Sequence, residues 1–377
     1  MHVEQKNILL KLFQNAVAAV KGDTSVTAWL SHNGLRRPTH ILAVGKAATA
    51  MFEGLPSDWR NTVATFLVTK TDHIGNTVFR ENVKSFETSH PLPDQNSLDA
   101  GKGAANFVAK CGADSRLLML VSGGASSLVE HLEPGVGLRD IETLTRSALA
   151  EGIDIGEINH RRRTISAIKG GQLLKRFSGA QVDVLAISDV AGDSIDVIGS
   201  GIGAPPEGAS FTYQCNIVAS NKVARDAVIQ NANSVGIGVI SNKENMYADL
   251  PKIASMIAKD ILEGPSGLYI YGGEPTVTLP ENPGHGGRNQ ALALEIARHI
   301  RKRIDIVGLV AGTDGTDGAT DAAGALLDGK TYMKLPGARY ALKRADSGSY
   351  FSRTGDLINT GPTGTNVMDL AIFLKHE

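Results

Sequence analysis

Short, largely apolar runs recur along this chain, and each ends in glycine and charge. Residues 41–44 lead into Gly45-Lys46, 117–121 into Ser122-Gly123-Gly124, and 182–187 into Ser188-Asp189-Val190-Ala191-Gly192-Asp193. Residues 268–271 lead into Gly272-Gly273-Glu274, and 304–310 into a stretch bearing Asp314, Asp317 and Asp321. Runs this short, with little polar alternation, predict strands covered on both faces. Between them, 222–232, 253–262 and 290–300 repeat apolar residues at helical spacing. At the N-terminus, Ile8, Leu9, Leu12, Phe13, Ala16, Val17 and Val20 line one helical face, with Glu4, Lys6 and Lys11 between them. Alternating strands and helices predict an α/β fold with a largely parallel sheet.

A chain of 377 residues is long for one core, so two domains are expected. The sharpest composition break, Glu263-Gly264-Pro265-Ser266-Gly267, divides a larger domain, 1–263, from a smaller one, 264–377. A net charge of -1 lacks the basic excess of a nucleic-acid binder, and the run His160-Arg161-Arg162-Arg163 is too short to supply it. No apolar stretch approaches the ~20 residues of a membrane span, and the N-terminal segment reads as an amphipathic helix rather than a signal peptide. Cys111 and Cys215 have no metal or redox spacing, which fits free thiols in a reducing, cytoplasmic setting. A homodimer stays open.

In parallel sheets, ligands bind beyond the carboxyl ends of the strands, where these clusters fall. Glycine lets backbone N–H groups approach an anion, and a helix N-terminus adds favourable partial charge. Five such loops point to a phosphate or carboxylate site. Gly45-Lys46-Ala47 is no Walker loop, lacking the earlier glycine and the following hydroxyl. Gly199-Ser200-Gly201-Ile202-Gly203-Ala204 has the letters of a dinucleotide fingerprint, but Pro205-Pro206 follows where a helix should start. Gly124-Ala125-Ser126-Ser127-Leu128 lacks the last glycine of a hydrolase elbow.

What remains is an inventory of carboxylates (Asp189, Asp193, Glu274, Asp314, Asp317, Asp321) and cations (Lys46, Arg162, Lys169, Arg288). Phosphoryl transfer needs such a set: a cation over the transferring group, carboxylates for Mg²⁺, and one carboxylate for the acceptor. Each also has a plainer reading. Asp317 and Asp321 suit helix caps, Lys169 suits a solvated helix residue, and His90 lies in a rigid Pro-rich turn. Arg288 opens a helix, where a cation opposes the dipole, so a bound anion is the simpler explanation. Gly286 and Gly287 would bring backbone to the same anion. On this reading Arg288→Lys leaves stability nearly unchanged. Asp314, at the strand's end, is the aspartate best placed to face ligand.

Taken in order, these motifs resemble the type 2 glycerate kinases, whose small C-terminal domain is called MOFRL and some of whose members carry a hydroxypyruvate reductase label. The matching stretches are Val44-Gly45-Lys46-Ala47-Ala48, His90-Pro91-Leu92-Pro93-Asp94, Val121-Ser122-Gly123-Gly124, Ile168-Lys169-Gly170-Gly171 and Ser188-Asp189-Val190-Ala191-Gly192-Asp193. Gly272-Gly273-Glu274, Gly286-Gly287-Arg288-Asn289-Gln290, Gly312-Thr313-Asp314-Gly315-Thr316-Asp317-Gly318 and 360–367 complete the set. The resemblance implies a Rossmann-like parallel-sheet domain plus a smaller α/β domain, with the active site in the cleft between them. It also implies ATP- and Mg²⁺-dependent phosphorylation of D-glycerate, most often at the 2-hydroxyl, with Lys46 and Arg288 leading the site. Asp189 would then orient the acceptor hydroxyl. Gly45, Ser122, Gly123, Gly124, Ser126, Lys169, Gly272 and Gly273 would bind nucleotide, and Mg²⁺ would be held by some of Asp193, Glu274 and Asp314.

The rival readings are a nicotinamide-dependent hydroxypyruvate reductase, a kinase for a related small hydroxy acid, and a sugar-acid sensor. The chain departs from the family's usual pattern at Thr164, Ile202-Gly203, His285 and Met368, and is short between 206 and 216. These departures bear on the acceptor more than on the reaction.

Overall fold

The structure is a computed structural model that describes residues 2–141, 143, 144, 161 and 163–377; His160 and Arg162 of the basic run lie outside them. Contacts divide the chain into two compact units, one of residues 21–219 with 364–366, the other of 1–20, 220–363 and 367–377.

The first unit is built on a parallel sheet of β1 (His40–Val44), β2 (Ala64–Lys70), β3 (Val83–Thr88), β4 (Arg116–Val121), β5 (Gln181–Ile187) and β6 (Thr212–Ala219). The order is β3-β2-β1-β4-β5-β6, the doubly wound order in which ligands bind where the winding reverses, between β1 and β4. The apolar runs that predict β1, β4 and β5 are buried along nearly their whole length. Leu42, Met119 and Val184 pack in one cluster with Ala100, Ala104 and Val108 of the helix Gln95–Ala109. That helix starts at Asp94, whose carboxylate accepts from the Ser97 amide at 2.8 Å, while the Asp94 amide donates to the Ser97 hydroxyl at 3.1 Å.

The second unit carries a mixed sheet of β7 (Val239–Glu244), β8 (Gly267–Gly273), β9 (Ile306–Gly312), β10 (Gly324–Asp328), β11 (Leu357–Ile358) and β12 (Asp369–Lys375), in the order β11-β10-β9-β12-β8-β7. Only β7 and β8 pair in parallel, so the largely parallel expectation fails for this sheet. The cause is the C-terminal strand, which returns antiparallel between β8 and β9. Its first residue, Asp369, is therefore in register with Gly273 and Gly312, the last residues of β8 and β9.

This unit begins at Ser220 rather than at residue 264. β7 pairs with β8, and the helices Asn221–Ser234 and Leu250–Glu263 pack beside them, so the composition break at 263–267 marks a loop inside the unit. The N-terminal helix His2–Ala19 belongs here too: Leu9 and Phe13 are buried, and Lys6 pairs with Asp328 at 3.0 Å and Asp356 at 3.1 Å. Among the described residues, no helix is long and apolar enough to cross a membrane.

Candidate active site

In the parallel-sheet unit, the chemistry gathers at the β1/β4 switch point. The Ser122 hydroxyl, fully buried, accepts from the Ala47 amide at 3.0 Å, and the Lys46 amide donates to the Gly123 carbonyl at 2.9 Å. These bonds tie the loop after β1 to the loop after β4. Gly45 has φ +122, and a side chain there would run into Ser122, so glycine is needed for the two loops to meet. A side chain at Gly123 would strike the carboxylate of Asp189 and the amide of Asn366. A Cβ at Gly124 would stand 3.1 Å from Cγ of Lys46 and 3.2 Å from the His90 ring. Lys46, His90, Asp189 and Asn366 thus border one glycine corner. Asn366 donates to the Asp189 carboxylate at 3.2 Å. It comes from the three-residue segment 364–366, which packs on this unit although its chain neighbours belong to the other.

Lys169 is not a solvated helix residue. It is 1% exposed, ion-paired with Glu130 and donating to the Ser126 carbonyl. Glu130 also accepts from the Ser166 hydroxyl at 2.6 Å and the His131 amide at 3.0 Å. A buried charge pair with its remaining lone pairs satisfied is tolerated, and this one braces the short helix Ala125–Leu128 that carries Ser126. The Ser126 hydroxyl meets that of Ser200 at 2.8 Å. Asp193 lies beyond Gly192 in the loop after β5, with φ +54.

In the mixed-sheet unit, the centre is Arg288. Its Nε donates to Oδ2 of Asp369 at 2.6 Å and its Nη2 to Oδ1 at 3.0 Å, while Nη1 reaches Glu274 at 2.8 Å. Asp369 is fully buried and the guanidinium side chain is 36% exposed. Burial works against the charge on Arg288, but Asp369 outweighs it, with Glu274 and Asp317 adding, so the guanidinium is held firmly protonated. The anion that offsets a cation at this helix start is therefore supplied by the chain itself, which corrects the expectation from the dipole alone. The preceding glycines serve the same packing: a side chain at Gly287 would run into Asp317, and one at Gly286 would approach Ser347 at 2.8 Å.

Asp317 caps this helix from a distance in sequence. Its carboxylate accepts from the amides of Asn289 at 3.0 Å and Gln290 at 2.8 Å, satisfying N–H groups that a helix start leaves open. No helix follows the aspartate-rich stretch itself; it turns back into β10. Asp314 closes its own turn, accepting from the Thr316 amide at 3.1 Å, and Asp321 is exposed. The spaces beside Gly272 and Gly273 are filled from within, by Asn221 and by the Met246 backbone. Among the described residues, no group of three or more His, Cys, Asp or Glu is arranged to hold a metal ion.

Burial pushes the Asp317 carboxyl up to about 7 against the pull of the two amides. A value above the ordinary 3.8 means that its contribution to stability is full below pH 4 and is lost as pH rises through 7. Asp317→Asn removes the titration. The difference in unfolding free energy between wild type and this variant should therefore drift against wild type from pH 4 to 7, as read by urea melts; a flat difference contradicts the raised value.

Sequence reasoning missed Asp369, although it lies in the motif Asn366-Val367-Met368-Asp369, and missed Glu130. Neither carries a local signal, since each is defined by a partner far away in the chain.

The match to known proteins spans both units. A domain of unknown function, DUF4147, covers residues 8–233, and the MOFRL family covers 267–369. A D-glycerate 2-kinase of Thermotoga maritima is 34% identical over 98% of each chain. A glycerate 2-kinase of Pyrococcus horikoshii is 32% identical, covering 90% of this chain and 88% of its own. A crystal structure of glycerate kinase from Thermotoga maritima has a TM-score of 0.85 at 30% identity, covering 99% of this chain and 100% of that one. With DUF4147 and MOFRL domains in this order, and relatives that match end to end, the chain belongs to the glycerate 2-kinase family, phosphotransferases with an alcohol group as acceptor.

Proposed function

We propose that this protein transfers the terminal phosphoryl group of ATP to the 2-hydroxyl of D-glycerate, in the cytoplasm. The observation that carries the reading is the placement of Lys46 and Asp189 about one glycine pair at the β1/β4 switch point. Lys46 stabilises charge on the transferring phosphoryl oxygens, and Asp189 orients the acceptor hydroxyl and takes up its proton. Asn366, bonded to Asp189, fixes the direction of that carboxylate. Arg288 grips the substrate carboxylate or the phosphates through the N–H groups of Nη1 and Nη2 that point away from Asp369 and Glu274.

Mg²⁺ suits the donors, which are all carboxylate oxygens; it takes one or two of these together with phosphate oxygens and water. Some of Asp193, Glu274 and Asp314, one or two and not all three, would hold it, and it would neutralise phosphate charge there. Gly45 and Gly124, on the loops after β1 and β4, and Ser126, in the short helix that follows, would face the nucleotide. Ser122, Gly123 and Lys169 support those loops from behind, and Gly272 and Gly273 shape the end of β8.

A coupled assay tests the reading. ADP release that requires D-glycerate is expected. NADH oxidation with hydroxypyruvate in the absence of ATP would overturn it in favour of the reductase.

A further inference from the structure

Met368 is the residue between the two clusters' motifs that no role above explains, and it sits in the left-handed region at φ +66. A non-glycine side chain there crowds the following carbonyl oxygen, and such residues persist only where their surroundings over-determine them. Two side chains do so. The Asn221 amide donates to the carbonyls of Val367 at 2.9 Å and Asp369 at 3.0 Å, bracketing Met368 on both sides. The Thr313 hydroxyl donates to the Met368 carbonyl at 2.7 Å and accepts from the Val367 amide at 2.9 Å. Asn221 is itself oriented. Its side-chain oxygen accepts from Nε of Arg225 at 2.9 Å, and Arg225 is pinned to Glu244 at 2.6 Å and to Asn242. Gly272 makes room for it, since a side chain there would collide with the Asn221 amide. Asn221 and Arg225 are 1% and 6% exposed, so the inner two members of this polar chain are buried and bonded.

The next residue is Asp369, whose two oxygens meet the Arg288 fork. A bidentate pair tolerates little rotation, and the backbone direction at Met368 sets where that carboxylate points. We infer that Asn221, backed by Arg225, is a positioning residue for Arg288: it holds the left-handed turn at Met368 so that Asp369 presents both oxygens to the guanidinium. The inference rests on the reading of Arg288 as a ligand-gripping residue, but its geometric core does not need any activity.

The geometry is read first by chemical access. Phenylglyoxal labels arginines, and peptide mass spectrometry locates the modified one. Arg288 should label slowly in the wild type and at least about tenfold faster in Asn221→Ala, once one face of the turn is released. Equal labelling rates would overturn the inference whatever the enzyme does.

Activity is read second. Asn221→Ala should lower kcat/KM for D-glycerate at least about tenfold, as expected for misplacing a group that orients substrate. Adding Met368→Asn should restore part of the loss, because asparagine enters the left-handed region far more readily. A merely structural asparagine would give a lower Tm with unchanged kcat/KM and no rescue, which would contradict the assignment. Should Asn221→Ala fail to fold, Thr313→Val releases the same turn from its other face and must reproduce both the faster labelling and the rescue. A wild type with no glycerate-dependent turnover counts against the proposed function and leaves the labelling result to decide the positioning role.

Discussion

Lys46→Ala should lower kcat by about two orders of magnitude or more, the loss usual for one preorganised electrostatic group. The side chain follows β1 directly at the switch point, and Cγ lies beside Gly124, across that glycine pair from Asp189. Charge on the transferring phosphoryl oxygens is redistributed in the transition state, so an ammonium there acts on kcat more than on KM. Folding should change little. The backbone bonds that seat the residue, from its amide to the Gly123 carbonyl at 2.9 Å and from His73 to its own carbonyl at 3.0 Å, survive truncation of the side chain. Steady-state kinetics on protein shown by circular dichroism to be folded check this, and near-wild-type turnover would remove Lys46 from the mechanism.

Arg288→Lys should fail twice. A lysine keeps the charge but cannot reproduce the fork that meets both Asp369 oxygens and Glu274. The kinetic loss expected is at least ~1.4 kcal/mol, a tenfold drop in kcat/KM. The stability loss expected is about 1–2 kcal/mol, because a fully buried Asp369 is left with a poorer partner. That is less than the ~3–5 kcal/mol of breaking a wholly buried pair, since a guanidinium 36% exposed is partly solvated. The sequence alone suggests the opposite, an unpaired cation whose replacement leaves stability alone. Kinetics measured well below the Tm separate the two effects. A tenfold loss in fully folded protein supports a ligand contact, whereas lower Tm with normal kcat/KM makes Arg288 structural.

The contrast shows which features a linear sequence carries. β1, β4 and β5 were legible because strands covered on both faces are short apolar runs, and their glycine-rich ends announce close approaches. β7, with its polar sequence VISNKE, gives no such signal because it lies at a sheet edge. β12 is apolar enough to be a strand, but nothing local says that it inserts antiparallel between β8 and β9. That pairing brings Asp369 to Arg288, 81 residues away in the chain. The site residues follow the same division. Lys46, Asp189, Arg288 and Asn366 stand in recognisable motifs, while Asp369, which pairs with Arg288, and Asn221, which bonds the turn before it, are set by tertiary contacts. Asp317 reads as a helix cap from its residue type, yet the helix it caps begins 29 residues before it in the chain.

The carbon that carries the phosphoryl group in the product identifies the acceptor hydroxyl. The protein, incubated with ATP, Mg²⁺ and D-glycerate, is followed by proton-coupled phosphorus NMR. The predicted result is a new phosphate ester split into a doublet, since phosphorus on the 2-oxygen couples to the single proton at that carbon. A triplet would place the phosphoryl group on the 3-oxygen and contradict the assignment of the acceptor hydroxyl; no glycerate-dependent ester at all would contradict the kinase reading itself.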